Sequence, residues 1–169
     1  PRNALLRQAL ADLSRQLQRH DEARLHFLAA MKIDPELTSV YDSWGRMEAK
    51  LGNRKRAAQL FRRGLRVRET PRLYHALGVL QDATGQAEAA RATFEPGLAQ
   101  PGEQHNPTLL HSLGRLEEGL GNHAAARVHY RECIETNPQF TMAYLSAGQL
   151  EESLGSYEAA ARLSGAGAA

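Results

Sequence analysis

The sequence predicts an all-α fold: a right-handed αα-superhelix, or solenoid, of about five helix–turn–helix repeats. Three observations carry that expectation. A glycine recurs in matching contexts at Gly52, Gly85, Gly121 and Gly155, at spacings of 33, 36 and 34 residues. The segments before these glycines are amphipathic at helical intervals, as in Tyr41–Trp44–Glu48 and Tyr74–Leu77–Gln81. The apolar content is 42% with only 6% aromatic, mostly Ala and Leu, which suits closely approaching helices better than sheets. Self-similarity at a period near 34 marks stacked units that bury a core only against their neighbours.

The units follow in order. Residues 4–37 contain "RQLQRHDEARLHFLAAMKIDP", with Gln18 in the glycine's place, Ala23 and Phe27 on the second helix, and Pro35 ending it. Residues 38–70 hold Tyr41, Trp44, Gly52, Ala57 and Phe61. Residues 71–106 repeat the pattern with Tyr74, Gly85, Ala90 and Phe94, but Pro96 falls inside the second helix. Proline removes a backbone donor and clashes with the preceding turn, so a kink or early end is expected there, with a long loop up to Pro107. Residues 107–140 supply Gly121, Ala126 and Tyr130, and Pro138 stops them. The last unit, 141–163, has Gly155 and Ala160, but Ser164 stands where the aromatic belongs.

One repeat domain over 1–163 is therefore expected, with a Gly/Ala-rich 164–169 that is disordered or truncated. The ends are expected to continue into a longer array or to be covered by partners, because solenoids need capping helices.

Within each unit the repeated glycine suits the left-handed conformation that closes a helix. A second row, Gly45, Gly78, Gly114 and Gly148 with Ala11, lies inside the first helices. Glycine there costs about 1 kcal/mol relative to alanine, so a close helix crossing is expected at that position.

Chemistry is sparse. His20 and His26, like His123 and His129, are six apart and so point from different helix faces. No HxxxH or HExxH spacing occurs, and Cys133, the only cysteine, cannot build a zinc cage or an internal disulfide. It takes a repeat position held elsewhere by Ala30, Gly64 and Gly97, so it reads as a packing residue, and a reducing compartment is the simpler expectation. No phosphate-cradling loop, catalytic triad or paired-carboxylate arrangement is present: adjacent pairs such as Glu117–Glu118 diverge on a helix, one supporting the repeat and one solvated. No apolar run approaches the length of a membrane span. The expectations are no enzyme activity, no cofactor, no metal, no small-molecule substrate and no membrane insertion.

Gly or Ala at the eighth repeat position, Ala at the twentieth, an aromatic at the twenty-fourth and Pro at the thirty-second resemble the tetratricopeptide repeat (TPR). The Glu at the eleventh position (Glu48, Glu117, Glu151) and an Ala-Arg pair opening the second helix (Ala23-Arg24, Ala90-Arg91, Ala126-Arg127) resemble its relative, the half-a-TPR or HAT repeat. "YDSWGRMEAKLGNRKRAAQLFRRGL" is the best single match to the latter. The resemblance implies a binding surface: protein scaffolds for TPR arrays, components of RNA-processing assemblies for HAT arrays, in the nucleus or an organelle such as the chloroplast. It also implies that first helices line the concave side and second helices the outer side. The basic clamp by which some TPR adaptors grip a C-terminal carboxylate is not matched, because its groove asparagines are absent.

Charge is concentrated in one unit. Residues 38–70 carry nine basic against three acidic side chains, a balance of +6, whereas 4–37 is neutral and the three later units come to −2, −1 and −2. Arg54, Lys55, Arg56, Arg62, Arg63 and Arg66 fall off the inward stripe of the second helix. Three readings fit them: a solvated face, an RNA-backbone contact, or a surface for an acidic protein. The aromatics occupy core positions, which argues against base stacking. Asp42, Arg46, Lys50, Arg72, His75, His111 and Arg115 form the candidate groove row. The sequence thus predicts a non-catalytic scaffold in an RNA-processing or RNA-stabilising assembly, touching RNA through the six basic residues, with other proteins of a multi-subunit complex as partners. The alternative is a protein–protein adaptor that uses the groove row.

Overall fold

Gly52, Gly85, Gly121 and Gly155 have φ of 80°, 74°, 78° and 75°, the left-handed conformation that closes a helix end. In each case the next residue's N–H reaches back to a carbonyl five residues earlier: Asn53 to Glu48 at 2.8 Å, Gln86 to Gln81 at 2.9 Å, Asn122 to Glu117 at 2.8 Å and Ser156 to Glu151 at 2.8 Å. The first repeat makes the same closure without glycine. Gln18 takes φ 61°, and Arg19 N–H donates to Ser14 O at 2.8 Å.

The computed structural model describes residues 3–103 and 105–167, and contains ten α-helices among them. They are α1 (Ala4–Gln16), α2 (His20–Ile33), α3 (Thr38–Lys50), α4 (Arg54–Val67), α5 (Pro71–Asp82), α6 (Ala87–Leu98), α7 (Pro107–Gly119), α8 (His123–Thr136), α9 (Thr141–Ser153) and α10 (Tyr157–Ala166). Odd-numbered helices are the first, and even-numbered the second, of each repeat. The fold class is the all-α helical repeat. Two compact units are present, Pro1–Leu80 and Gln81–Ala169.

In the first unit one core joins α1 to α5. Phe27 stacks on Trp44 with ring centroids 5.8 Å apart, and Ala30, Met31, Val40, Met47, Phe61 and Leu73 close around them. Gly45 is required here, because a Cβ on it would run into the ring of Phe61. Gly114 stands in the same relation to Tyr130 in the second unit, so at these two positions the inner glycine admits the aromatic of the repeat's own second helix. In the second unit, Ala90 and Phe94 of α6 pack on Leu109, Leu113 and Leu116 of α7. Ala126 and Tyr130 of α8 pack on Ala147 and Leu150 of α9, and Cys133 packs on Leu110 and Ala143.

Pro96 lies in the last turn of α6, which runs only two residues further. The loop from Ala99 to Asn106 is longer than the equivalents after α2, α4 and α8. Asn106 caps α7 by accepting from Thr108 N and Leu109 N at 3.1 and 3.2 Å, and Pro107 opens the helix without a donor to satisfy. At the other end α10 continues to Ala166. The side chain of Ser164, and residues 168–169 of the expected Gly/Ala-rich end, lie outside the described residues.

Candidate functional site

The eleventh-position glutamates are interior struts. Glu48 is fully buried, and Arg24 of the preceding helix grips it with Nε to Oε1 at 2.8 Å and Nη2 to Oε2 at 3.0 Å. Trp44 Nε1 and Asn53 Nδ2 donate to the same carboxylate at 2.9 and 2.7 Å. Burial alone would raise this carboxyl, but the hydrogen bonds from Arg24, Trp44 and Asn53 outweigh it and hold the pKa down at about 2. Arg91 grips Glu117 at 2.7 and 3.0 Å, with Asn122 Nδ2 at 2.7 Å, and Arg127 grips Glu151 at 2.6 and 2.7 Å. Glu118, expected to be solvated, instead accepts from Tyr130 Oη at 2.6 Å.

The groove row divides by unit. In the first, Asp42 is not an open groove carboxylate: it is 2% exposed and is neutralised by Arg46 Nε at 2.7 Å and Arg72 Nε at 2.6 Å. Its position next to Tyr41 puts it against the core, where a carboxylate persists only if paired. Lys50 is exposed at the end of α3, and His75 is half-buried on α5.

In the second unit, His111 Nε2 lies 2.9 Å from Ser146 Oγ, and the ring packs edge-on against Phe140 at 5.6 Å. Burial, followed by the neighbouring charge of Arg115, pushes this imidazole below its ordinary value. Arg115 itself is exposed and has no ion-pair partner among the described residues. It borders a cavity of about 390 Å³ formed with Glu118, Gly119, Met142, Leu145, Ser146 and Gln149. Met142 and Leu145 are each 51% exposed beside it. The site therefore offers one unpaired cation, two apolar side chains and a set of hydrogen-bonding groups, from the first helices α7 and α9.

The residues of α9 were missing from the expected row. The row takes the second, fifth, ninth and thirteenth repeat positions; applied to the last repeat, those positions give Met142, Leu145, Gln149 and Ser153, of which the first three line the cavity. A second cavity, of about 370 Å³, lies among α8, α9 and α10 over Tyr130, Ile134, Leu150 and Leu163. Its charged pair, Arg127 and Glu151, is already satisfied.

The basic residues of α4 are all exposed, but they are not equivalent. Arg56 lies 5.0 Å over the Trp44 ring with Nε 3.6 Å from Glu48, and Arg63 lies 5.8 Å over Tyr41. Arg54, Lys55, Arg62 and Arg66 have no ion-pair partner among the described residues.

Among the described residues no three metal-ligating side chains converge. The Cys133 thiol is buried, donates to Pro107 O at 3.2 Å, and is pushed up to about 11 by burial. No described helix is long and apolar enough to cross a membrane.

Comparison with known proteins agrees with the repeat frame. Residues 5–37 and 111–169, together more than half the chain, match the tetratricopeptide repeat. No curated protein sequence matches the chain. Among solved structures it is similar to MamA (TM-score 0.77, 19% identity, covering 97% of this chain and 89% of that one). It is also similar to PilW, a type IV pilus biogenesis factor (0.82, 18%, 95% and 74%). A third is YrrB, described as a TPR protein with an unusual peptide-binding site (0.69, 17%, 98% and 85%). The chain belongs to the tetratricopeptide repeat family, whose arrays act as protein-binding scaffolds.

Proposed function

We propose that this chain is a non-catalytic scaffold that holds a segment of a protein partner in the groove of its second unit. The observation that carries the reading is Arg115, an unpaired cation beside the exposed Met142 and Leu145 at a cavity of about 390 Å³. An acidic group of the partner meets Arg115 in a charge-assisted hydrogen bond, and an apolar side chain lies on Met142 and Leu145. Gln149, which also lines the cavity, pairs with partner backbone in this reading. In the first unit Arg46 and Arg72 are both engaged by Asp42, so that cluster carries one excess positive charge but neither guanidinium is without an ion-pair partner.

Selection from a displayed random-peptide library tests this. The wild type should enrich peptides with Asp or Glu near a large apolar residue, and Arg115→Glu should weaken them at least about tenfold. Leu145→Asp should do the same. Equal binding by both variants rejects the site.

A second reading gives α4 an RNA-backbone contact in an RNA-processing or transcript-stabilising assembly. Its support is the run of Arg54, Lys55, Arg62 and Arg66, exposed cations with no ion-pair partner among the described residues, in the most basic repeat of the sequence. RNA retention at two salt concentrations tests it with Arg62→Glu/Arg66→Glu, which spares Arg56 and Arg63 on their rings. Retention unchanged by the substitutions, or absent at both salts, rejects it.

A further inference from the structure

In the first unit, the fifth position of one first helix meets the second position of the next. Gln8 and Ser39 make that contact without charge, Ser39 Oγ donating to Gln8 Oε1 at 2.7 Å. At the following junction the same positions are Asp42 and Arg72, and Arg46 joins them from one turn along α3. Each carboxylate oxygen accepts one Nε: Oδ1 from Arg46 at 2.7 Å and Oδ2 from Arg72 at 2.6 Å. Two guanidinium groups therefore stand side by side on one anchor.

The anchor is buried but the cations are not. The side chains of Arg46 and Arg72 are 41% and 73% exposed. Both bind Asp42 through Nε alone, and their Nη groups make no hydrogen bond among the described residues. A surface arginine ordinarily loses rotamer freedom when it takes a ligand; here the Nε contacts hold both forks in advance. Lys50, one further turn along α3, is exposed and has no ion-pair partner among the described residues. The acids nearby are engaged. Asp12, at the repeat position of Arg46 but on α1, is held by Arg15 at 3.4 Å. Glu69 accepts from Tyr74, with the exposed Arg68 beside it.

Three cations around one carboxylate leave two positive charges for a ligand. A carboxylate or a phosphodiester brings one negative charge, whereas a phosphomonoester brings nearly two, with three acceptor oxygens for the Nη groups. Charge and donor number together select the phosphomonoester. The aromatics of α3 and α5, Tyr41, Trp44 and Tyr74, are buried, so a nucleic-acid strand finds no stacking surface beside the cations.

We infer that Arg46, Arg72 and Lys50 bind a phosphorylated side chain on a segment of a partner protein. The site uses no residue of the second unit's cavity and does not depend on it.

Panning a peptide library with a fixed central phosphoserine on the immobilised chain supplies the probe, and fluorescence anisotropy measures its affinity. The selected peptide should bind at least about tenfold more tightly than its serine and glutamate counterparts. Lys50→Glu and Arg72→Gln should each weaken it at least about tenfold, with unchanged helical circular dichroism. Lys50 has no partner in the fold, so its variant separates lost binding from lost structure. Arg115→Glu should leave the affinity unchanged. Inorganic phosphate and a 5′-phosphorylated RNA oligonucleotide should displace the probe only far above the concentration at which unlabelled peptide does. The inference is overturned if no phosphate-dependent peptide is selected, if serine or glutamate serves as well, or if affinity survives either substitution. Displacement by inorganic phosphate or by the RNA at the peptide's own concentration overturns it too, and assigns the site to a free anion or to nucleic acid.

Discussion

Arg24 and Glu48, 24 residues apart in the chain, face each other fork to fork at 2.8 and 3.0 Å, and the carboxylate has no exposure to solvent. The pair joins the second helix of one repeat to the first helix of the next. Because Asn53 binds the same carboxylate from the turn, the strut fixes both the packing of α2 on α3 and the loop that starts α4. Removing the acid leaves the buried indole N–H of Trp44 without its acceptor and Arg24 held only by the exposed Asp21. Glu48→Ala should lower stability by about 3 to 5 kcal/mol, measured by urea unfolding followed through circular dichroism.

Acid should act through the same group. Its carboxyl is held at about 2 in the fold, against roughly 4.3 in an unfolded chain. A depressed carboxyl contributes stability that is complete above the unfolded value and is lost as pH falls through the folded one. Stability should therefore decline between pH of about 4.3 and about 2, by on the order of 3 kcal/mol from this residue. Glu48→Gln should be less stable at neutral pH and show a shallower acid slope. Parallel slopes for the two proteins would contradict this account.

His111 gives a second window. Burial and Arg115 lower its pKa, so the unfolded chain takes up a proton near pH of about 6.5 while the folded one resists it. The unfolded state then binds more protons, and stability should fall as pH drops below that value. His111→Gln should flatten this part of the profile, as read from thermal midpoints between neutral and mildly acidic pH.

The two glycine rows should respond differently to alanine. Gly45→Ala drives a methyl into the Phe61 ring and should lose about 2 to 3 kcal/mol. Gly52→Ala meets open space but must hold φ at 80°, which costs about 1 kcal/mol. Gln18 already bears that strain at φ 61°, so Gln18→Gly should raise the melting temperature by a few degrees.

Arg56 and Arg62 separate the two roles of the α4 arginines. Arg56→Ala uncovers Trp44 and withdraws a cation from Glu48, so it should destabilise by about 1 kcal/mol and alter tryptophan fluorescence. Arg62→Ala touches neither and should leave the unfolding midpoint unchanged within about 0.5 kcal/mol.

The repeat frame was legible because its markers are local: a glycine at each turn, a small residue at each crossing, an aromatic one turn after the alanine. The struts were half legible. The Ala-Arg pairs and the eleventh-position glutamates were visible as separate features. Their pairing was not, because it links residues 24 to 26 apart through the stacking of one repeat on another. Asp42 misled in part for the same reason: its helical position suggested a groove, but Arg46 one turn on and Arg72, 30 residues on, both close over it.

By itself, then, the sequence determined the helical repeat and the aromatic and small residues that make its core, since periodicity and turn chemistry act within one unit. Tertiary structure decided which charges remain for a partner. Asp42, Glu48, Glu117 and Glu151 are taken up by arginines from other helices, while Arg115 is left open beside Met142 and Leu145. Whether a charge is satisfied depends on what another helix brings within about 3 Å, and no spacing along the chain states that distance.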